Sequence, residues 1–347
     1  MLRRVNLLAA VLLLAALALI GCGNNAEQKA PGQEAAATNG AESGSDEAGQ
    51  QAVDAPANSA AASGEAAHES GDAWPRTIVD AADHEVTLEE RPERIAVLHP
   101  LYLDFFFALD TPPIASADAA RAMQEYATLQ TYDAAGMIDL GSGRDLNLEK
   151  IMEAAPDVIV TFKGQVDAIY EELTKIAPVV LINYSDTWEE ATRLCAAIIG
   201  KEEAAEQYIT ETEARIADTK TKLGERMKDT FALLRVGDKN AFAAQGSKNT
   251  MYYEPQSGFG LQAPEGYPED SMALSMEALA EMDPDYIIIQ HDIERARAAV
   301  KEKEELEVWK SLRAVQNDHV LYFDNSLNTG SVLAIRLAAE YLSELAE

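Results

Sequence analysis

The chain has 347 residues, of which 47% are hydrophobic, and its 28 basic and 59 acidic residues give a net charge of −31. That length suits two domains of ordinary size with a substantial core. The charge argues against nucleic acid as a partner, because no basic surface could readily dominate so acidic a field.

Residues 1–21 read as a targeting signal. Arg3 and Arg4 supply a positive start, and Leu7 to Ile20 is an unbroken apolar run, too short to span a bilayer comfortably. The run ends in Leu19-Ile20-Gly21-Cys22, which resembles the bacterial lipobox, so Cys22 is the expected lipidation site and membrane anchor. An ordinary signal peptide followed by a chance cysteine is the alternative. The other cysteine, Cys195, sits among Leu194, Ala196, Ala197 and Ile198 and reads as a small core residue.

Residues 22–73 read as the lipidated cysteine followed by a disordered acidic linker. From residue 23 the stretch holds nine acidic residues and one lysine, with little that could be buried. A flexible chain of that length spans roughly 40 Å on average, enough to tether a folded body outside a membrane.

Folded sequence begins near Trp74. Thr77 to Val79 and Val86 to Leu88 predict a small hairpin, and Arg94 to Leu98 a first buried strand closed by His99-Pro100. A helix over Leu101 to Leu109 follows, and a further strand over Val179 to Ile182 ends at Asn183-Tyr184. Strands alternating with helices predict a parallel sheet with ligands at the strands' carboxyl ends.

Two segments nearly repeat. Glu149 to Val160 (EKIMEAAPDVIV) and Glu277 to Ile288 (EALAEMDPDYII) agree at Glu149/Glu277, Glu153/Glu281, Pro156/Pro284, Asp157/Asp285 and Ile159/Ile287. Each reads as a short helix stopped before proline, then a buried strand. This predicts two similar α/β lobes. Between them, Thr187 to Ile199 is one helix and Lys201 to about Leu223 a longer one, with an apolar stripe at Ala205, Tyr208/Ile209, Thr212, Ile216 and Leu223. Phe231 to Val236 (FALLRV) opens the second lobe as Arg94 to Leu98 opens the first. The expected domains are therefore an N-terminal lobe (74–187), an inter-lobe helical segment (188–228) and a C-terminal lobe (229–347).

This order of features resembles the substrate-binding lipoproteins of bacterial iron–siderophore and cobalamin ABC importers. The matching residues run through the whole folded part: Pro75 to Ile78, Pro92 with Arg94-Ile95, Leu148-Glu149, Pro156-Asp157, Gly200 to Ala204, Leu234-Arg235, Ser275 to Glu277 and Pro284-Asp285. The resemblance implies an α/β fold of two Rossmann-like lobes with central parallel sheets, bridged by a single long rigid helix. It implies a monomeric, extracytoplasmic, non-enzymatic protein that captures a ferric siderophore in an inter-lobe cleft and delivers it to transmembrane permease subunits. It also implies that Glu149 and Glu277 dock against permease arginines. On the residues alone, each glutamate is equally an acidic first-turn residue behind an N-cap, worth ~0.3–1 kcal/mol against the helix dipole.

Ligand contacts are expected in loops after strand ends. In the first lobe these are His99, Tyr102, Arg121, Arg144 and Lys163; in the second, Arg235, Phe242, Tyr252, Tyr253, His291 and Asn325. Arg and Lys would neutralise an anionic chelate and aromatics would cover its apolar arms; any one basic residue could equally be a solvated surface charge. In relatives that take highly anionic catecholates a second arginine often lies two residues after the one matching Arg235. Gly237 stands there, which favours a less charged, hydroxamate-type ligand. No resident cofactor or metal is expected, since the siderophore itself coordinates the iron.

Two rival readings differ. His99 and His291, from opposite lobes, could bind haem, and cobalamin belongs to the same transporter class. A tethered enzyme is the other class, but no GxxxxGK[ST], GxSxG or HExxH motif occurs, and Gly141-Ser142-Gly143 lacks the third glycine of a dinucleotide loop, having Leu146 there.

Overall fold

The computed structural model describes residues 73–133, 136–248 and 250–346. The signal segment, Cys22 and the linker up to residue 72 lie outside them. In chain order the first part contains β1 (Arg76–Val79), β2 (Glu85–Leu88), β3 (Ile95–Val97), α1 (Leu103–Ala108), β4 (Ala115–Ser116), α2 (Ala119–Glu125) and β5 (Ile138–Asp139). It continues with β6 (Gly141–Ser142), β7 (Asp145–Leu146), α3 (Leu148–Ala154), β8 (Val158–Phe162), α4 (Tyr170–Leu173) and β9 (Val179–Ile182). Two helices follow, α5 (Trp188–Ile199) and α6 (Glu202–Leu223). The second part holds β10 (Phe231–Val236), β11 (Phe242–Ala244), β12 (Met272–Leu274), α7 (Met276–Met282), β13 (Tyr286–Gln290), α8 (Ile293–Lys303), α9 (Glu307–Lys310), α10 (Arg313–Gln316), β14 (Val320–Phe323) and α11 (Val332–Glu344).

The first sheet has the order β5-β4-β3-β8-β9 and is parallel throughout. Its inner strands β3 and β8 are buried on both faces: Ile95, Ala96, Val97, Val158, Ile159 and Val160 are all 0% exposed, as the apolar runs require. The second sheet, β12-β11-β10-β13-β14, is parallel only over β10, β13 and β14; β11 and β12 are antiparallel. The expected central parallel sheet is present as β10, β13 and β14, and an antiparallel edge is added to it. Only Gly237 to Ala241 join β10 to β11, and a parallel crossover needs a dozen or more residues, so the chain must turn back.

The repeated segment is the conserved unit of the two halves' geometry. Asn147 and Ser275 cap α3 and α7, each accepting at 3.1 Å from the backbone N–H three residues on. Each helix ends on a left-handed residue just before the proline, Ala155 (φ 44°) and Asp283 (φ 38°). The aspartates after the prolines then fasten the neighbouring strand. Asp157 Oδ2 accepts from the N–H groups of Glu93 (3.0 Å) and Arg94 (2.9 Å), and Asp285 Oδ2 from Thr230 N (2.9 Å) and Oγ1 (2.8 Å). In both lobes the repeat thus supplies a central strand and sets its register against the strand that opens the lobe.

Helix α6 has 22 residues, about 33 Å at ~1.5 Å per residue. Its buried stripe is Ala205, Ile209, Thr212, Ile216, Thr219 and Leu223, close to the predicted one. It is not the sole link between the lobes. The C-terminal helix α11 leaves the second sheet and packs along α6 and against α1 and α5. One hydrophobic core accordingly runs from Val97 and Phe106 through Ile209 to Ile288 and Ile335. Cys195 lies within it, fully buried.

Candidate functional site

The expected contacts cluster at the carboxyl ends of β3, β8 and β9 in one lobe and of β10, β13 and β14 in the other. On the first wall, Gln165 Nε2 donates to the carbonyls of Leu98 (2.8 Å) and Gly143 (3.1 Å), and Gly143 N donates to Asp118 Oδ2 at 3.0 Å. These bonds bring the β6–β7 turn, with exposed Arg144, to the ends of β3 and β8. Arg121 pairs with Asp118 (3.6 Å) and Glu125 (3.7 Å), so its charge is largely answered within the lobe. Lys163 Nζ donates to the carbonyl of Ala81 at 3.2 Å, which ties it to the turn of the first hairpin.

An aromatic row crosses the same wall. Tyr184 lies 5.2 Å from Phe162, Phe162 lies 5.3 Å from His99 edge-on, and His99 lies 6.5 Å from Tyr102. Tyr184 is 67% exposed. Neither Tyr184 nor Phe162 was expected to line the site. Phe162 is the last residue of β8 and Tyr184 lies two residues past the end of β9, so both were legible from the strand ends.

On the second wall, Arg235 Nη2 donates to Asn325 Oδ1 at 2.9 Å, while its buried Nη1 has no partner among the described residues. Burial lowers the Arg235 pKa, as does neighbouring Arg295, against the opposing influence of Tyr126 and Tyr184 from the other lobe. These groups therefore share one electrostatic neighbourhood across the cleft. His291 is pushed down to about 4 by burial and by Arg235 and Arg295. His99 is also lowered, chiefly by burial, with Arg121 adding to it and Asp118 opposing.

Both histidines are fixed as neutral rings. His99 Nδ1 accepts from Leu101 N (3.3 Å) and His291 Nδ1 from Asp292 N (2.7 Å), which leaves the proton on Nε2. A histidine that ligates iron through Nε2 needs its proton on Nδ1 instead. The pair is thus set up to donate hydrogen bonds rather than to bind haem iron.

Three of the expected contacts lie in the core and a fourth packs against it. Tyr102, Phe242 and Tyr252 are each 2% exposed, and Tyr253 is half-buried. The Tyr252 hydroxyl accepts from Gln290 Nε2 at 2.6 Å and reaches the Leu327 carbonyl at 3.4 Å; Tyr253 donates to the Phe231 carbonyl at 2.6 Å. Interior acceptors and donors thus satisfy the polar ends of Tyr252 and Tyr253. Glu149 and Glu277 are exposed in the first turns of α3 and α7.

Among the described residues no group of three or more His, Cys, Asp or Glu side chains could hold a metal ion, and no helix is long and apolar enough to cross a membrane.

A family model described as "Periplasmic binding protein" matches residues 95–327. The chain is 33% identical over 189 residues to the iron-uptake system-binding protein of Bacillus subtilis (strain 168), covering 52% of this chain and 59% of that protein. It is 26% identical over 266 residues to the Fe(3+) dicitrate-binding periplasmic protein FecB of Escherichia coli (strain K12), covering 73% of this chain and 85% of that one. Its fold is similar to that of the Bacillus subtilis triscatecholate siderophore-binding protein FeuA in complex with ferri-bacillibactin. The TM-score is 0.66 at 22% identity, over 78% of this chain and 98% of that one.

Proposed function

Since the chain belongs to the periplasmic binding protein family, we propose that it binds a ferric siderophore between its lobes and delivers it to the permease of an ABC importer. The observation that carries this reading is the partner-less, buried Nη1 of Arg235, placed where residues of both lobes meet. A buried N–H without an acceptor is costly unless a ligand supplies one. The relatives named for iron uptake and iron dicitrate support the same class of cargo. Members of this family bind substrates and are not enzymes.

Delivery rests on Glu149 and Glu277 as docking residues and on Cys22 as the lipid anchor. Their support is the resemblance and, for the glutamates, their exposed and equivalent placement at two capped helix starts. Haem is disfavoured by the fixed tautomers of His99 and His291. The weaker preference for a hydroxamate-type cargo rests on Gly237, which stands two residues after Arg235 where a second arginine is absent.

The test is to titrate the mature chain with ferric siderophores, haem and cobalamin while following tryptophan and tyrosine fluorescence. Saturable quenching by a ferric siderophore is expected. Binding of haem or cobalamin alone would overturn the reading.

A further inference from the structure

The chain that joins β14 to α11 is polar yet buried: Asp324, Ser326 and Ser331 are at most 9% exposed. Asp324 caps a single 3-10 turn, Asn325–Asn328, its Oδ1 accepting from Ser326 N at 2.9 Å and from the Ser326 hydroxyl. The same oxygen accepts from Ala127 N of the first lobe at 2.9 Å. Ala127 opens a 3-10 turn of its own, where a first N–H has no partner within the turn, and Asp324 supplies one. Thr128, next in sequence, binds the fully buried Asp104, which also takes the Ser331 hydroxyl. No buried side-chain atom of these residues lacks a partner. A satisfied buried network of this kind holds one arrangement, because breaking any bond strands a polar group away from water.

Asn325 is the first residue of the turn that Asp324 caps, and its Oδ1 accepts from Arg235 Nη2 at 2.9 Å. Arg235 stands on β10 of the second lobe, yet the turn that holds it is pinned to the first. Tyr126, directly before Ala127 and itself buried, also acts on Arg235 electrostatically. The Asp324 carboxylate is turned to Ala127 and Ser326, while the neutral amide of Asn325 meets the guanidinium. The arginine is thus held in place without its charge being cancelled. An arginine free to rotate loses rotamer freedom when a ligand captures it, so a guanidinium fixed beforehand binds an anion more tightly.

We propose that Asp324 is a positioning residue: by fastening the turn that begins at Asn325 to Ala127 of the other lobe, it presets the Arg235 guanidinium, so that ligand affinity depends on a buried contact between the lobes. This rests on the reading that Arg235 meets a ferric siderophore.

The test uses the full mature chain and two readouts. The first is affinity by fluorescence titration, with whichever of ferric citrate, a ferric tris-catecholate and a ferric tris-hydroxamate binds the unaltered chain tightest. Asp324→Ala should weaken binding about 3- to 10-fold, the scale of freeing one rotamer-rich side chain. Asp324→Asn keeps an oxygen for Ala127 N and should stay within about 2-fold of the unaltered chain. In an Arg235→Gln background Asp324→Ala should add less than about 2-fold, since the two residues act in series. The second readout needs no ligand: the Arg235 Nε–H resonance, assigned by its loss in Arg235→Gln. It should move towards the position of a free arginine in Asp324→Ala and stay in place in Asp324→Asn. Asp285→Ala, which removes a strand fastener elsewhere in the same lobe, should leave the resonance and the affinity unaltered. An unmoved resonance in Asp324→Ala, an equal loss of affinity with and without Arg235, or an equal effect of Asp285→Ala would overturn the proposal. Failure of every ferric chelate to bind the unaltered chain would instead sink the broader reading, and the resonance alone would then decide whether Asp324 sets Arg235.

Discussion

Ser331, at the start of the last helix, donates its hydroxyl to the fully buried carboxyl of Asp104 in α1, a bond that closes 227 residues of sequence. Thr128 Oγ1 donates to the other oxygen of Asp104 at 3.1 Å. Beside them, Asp324 accepts from Ala127 N at 2.9 Å and Thr128 N approaches Ser326 Oγ at 3.4 Å. Asn325, which holds Arg235, stands between Asp324 and Ser326. The residue that orients the cleft arginine is thus part of the segment that fastens one lobe to the other.

Burial raises the Asp104 pKa to about 7, with nearby Asp324 adding to it and the Ser331 and Thr128 hydroxyls opposing. A raised carboxyl contributes stability that is complete below its ordinary value and lost as pH rises through 7. Asp104→Asn should therefore flatten the loss of stability between about pH 4 and 8, a difference on the order of a few kcal/mol. Denaturant melts of both proteins at several pH values would check this; parallel curves would exclude it.

Ser331→Ala leaves a buried carboxyl short of one donor and removes the N-cap of α11, which accepts from Ala334 N at 3.1 Å. The cost should be about 2–4 kcal/mol. Urea denaturation measures it, and a change below about 0.5 kcal/mol would contradict the clasp's role.

The two repeat aspartates should differ. Each fastens a strand start, but Asp285 also takes the Thr230 hydroxyl and pairs with Arg313 at 2.7 Å. Burial would raise its pKa, yet the Thr230 bonds and Arg313 together bring it below the ordinary carboxylate value. Its stabilisation is present above about pH 4 and fades as pH falls below that. Asp285→Ala should cost more than Asp157→Ala, about 2–3 against about 1–2 kcal/mol at pH 7. The reverse order in thermal or urea melts would refute the comparison.

Tyr252→Phe should destabilise the protein by about 1–2 kcal/mol, because Gln290 Nε2 loses one of its two buried acceptors. Ligand affinity should stay unchanged. A tenfold loss of affinity in a titration of the variant would return Tyr252 to the cleft.

Glu149→Ala with Glu277→Ala should leave ligand binding intact and abolish uptake by cells that express the permease. The helix-dipole contribution of each is at most ~1 kcal/mol, too little to unfold the chain. Uptake at the wild-type rate would remove the docking role.

The sequence by itself determined the local elements. Apolar runs without polar interruption had to be buried strands, Asn147 and Ser275 had to cap helices, and the Pro-Asp pairs marked one unit used twice. The α6 stripe was legible for the same reason, since a 3.6-residue period needs no knowledge of what covers it. Tertiary structure decided the rest. A five-residue link after β10 forced the second sheet to turn antiparallel, which the repeat could not reveal because β11 and β12 lie outside it. Tyr252 and Arg235 were both read as cleft residues, yet one is bonded to Gln290 in the interior and the other keeps a buried, unmatched N–H. Arg295 looks like any charge on a solvated helix until α8 packs beside β10 and sets its guanidinium on Gly237. Burial and partner geometry depend on residues far apart in the chain, and no local pattern encodes them.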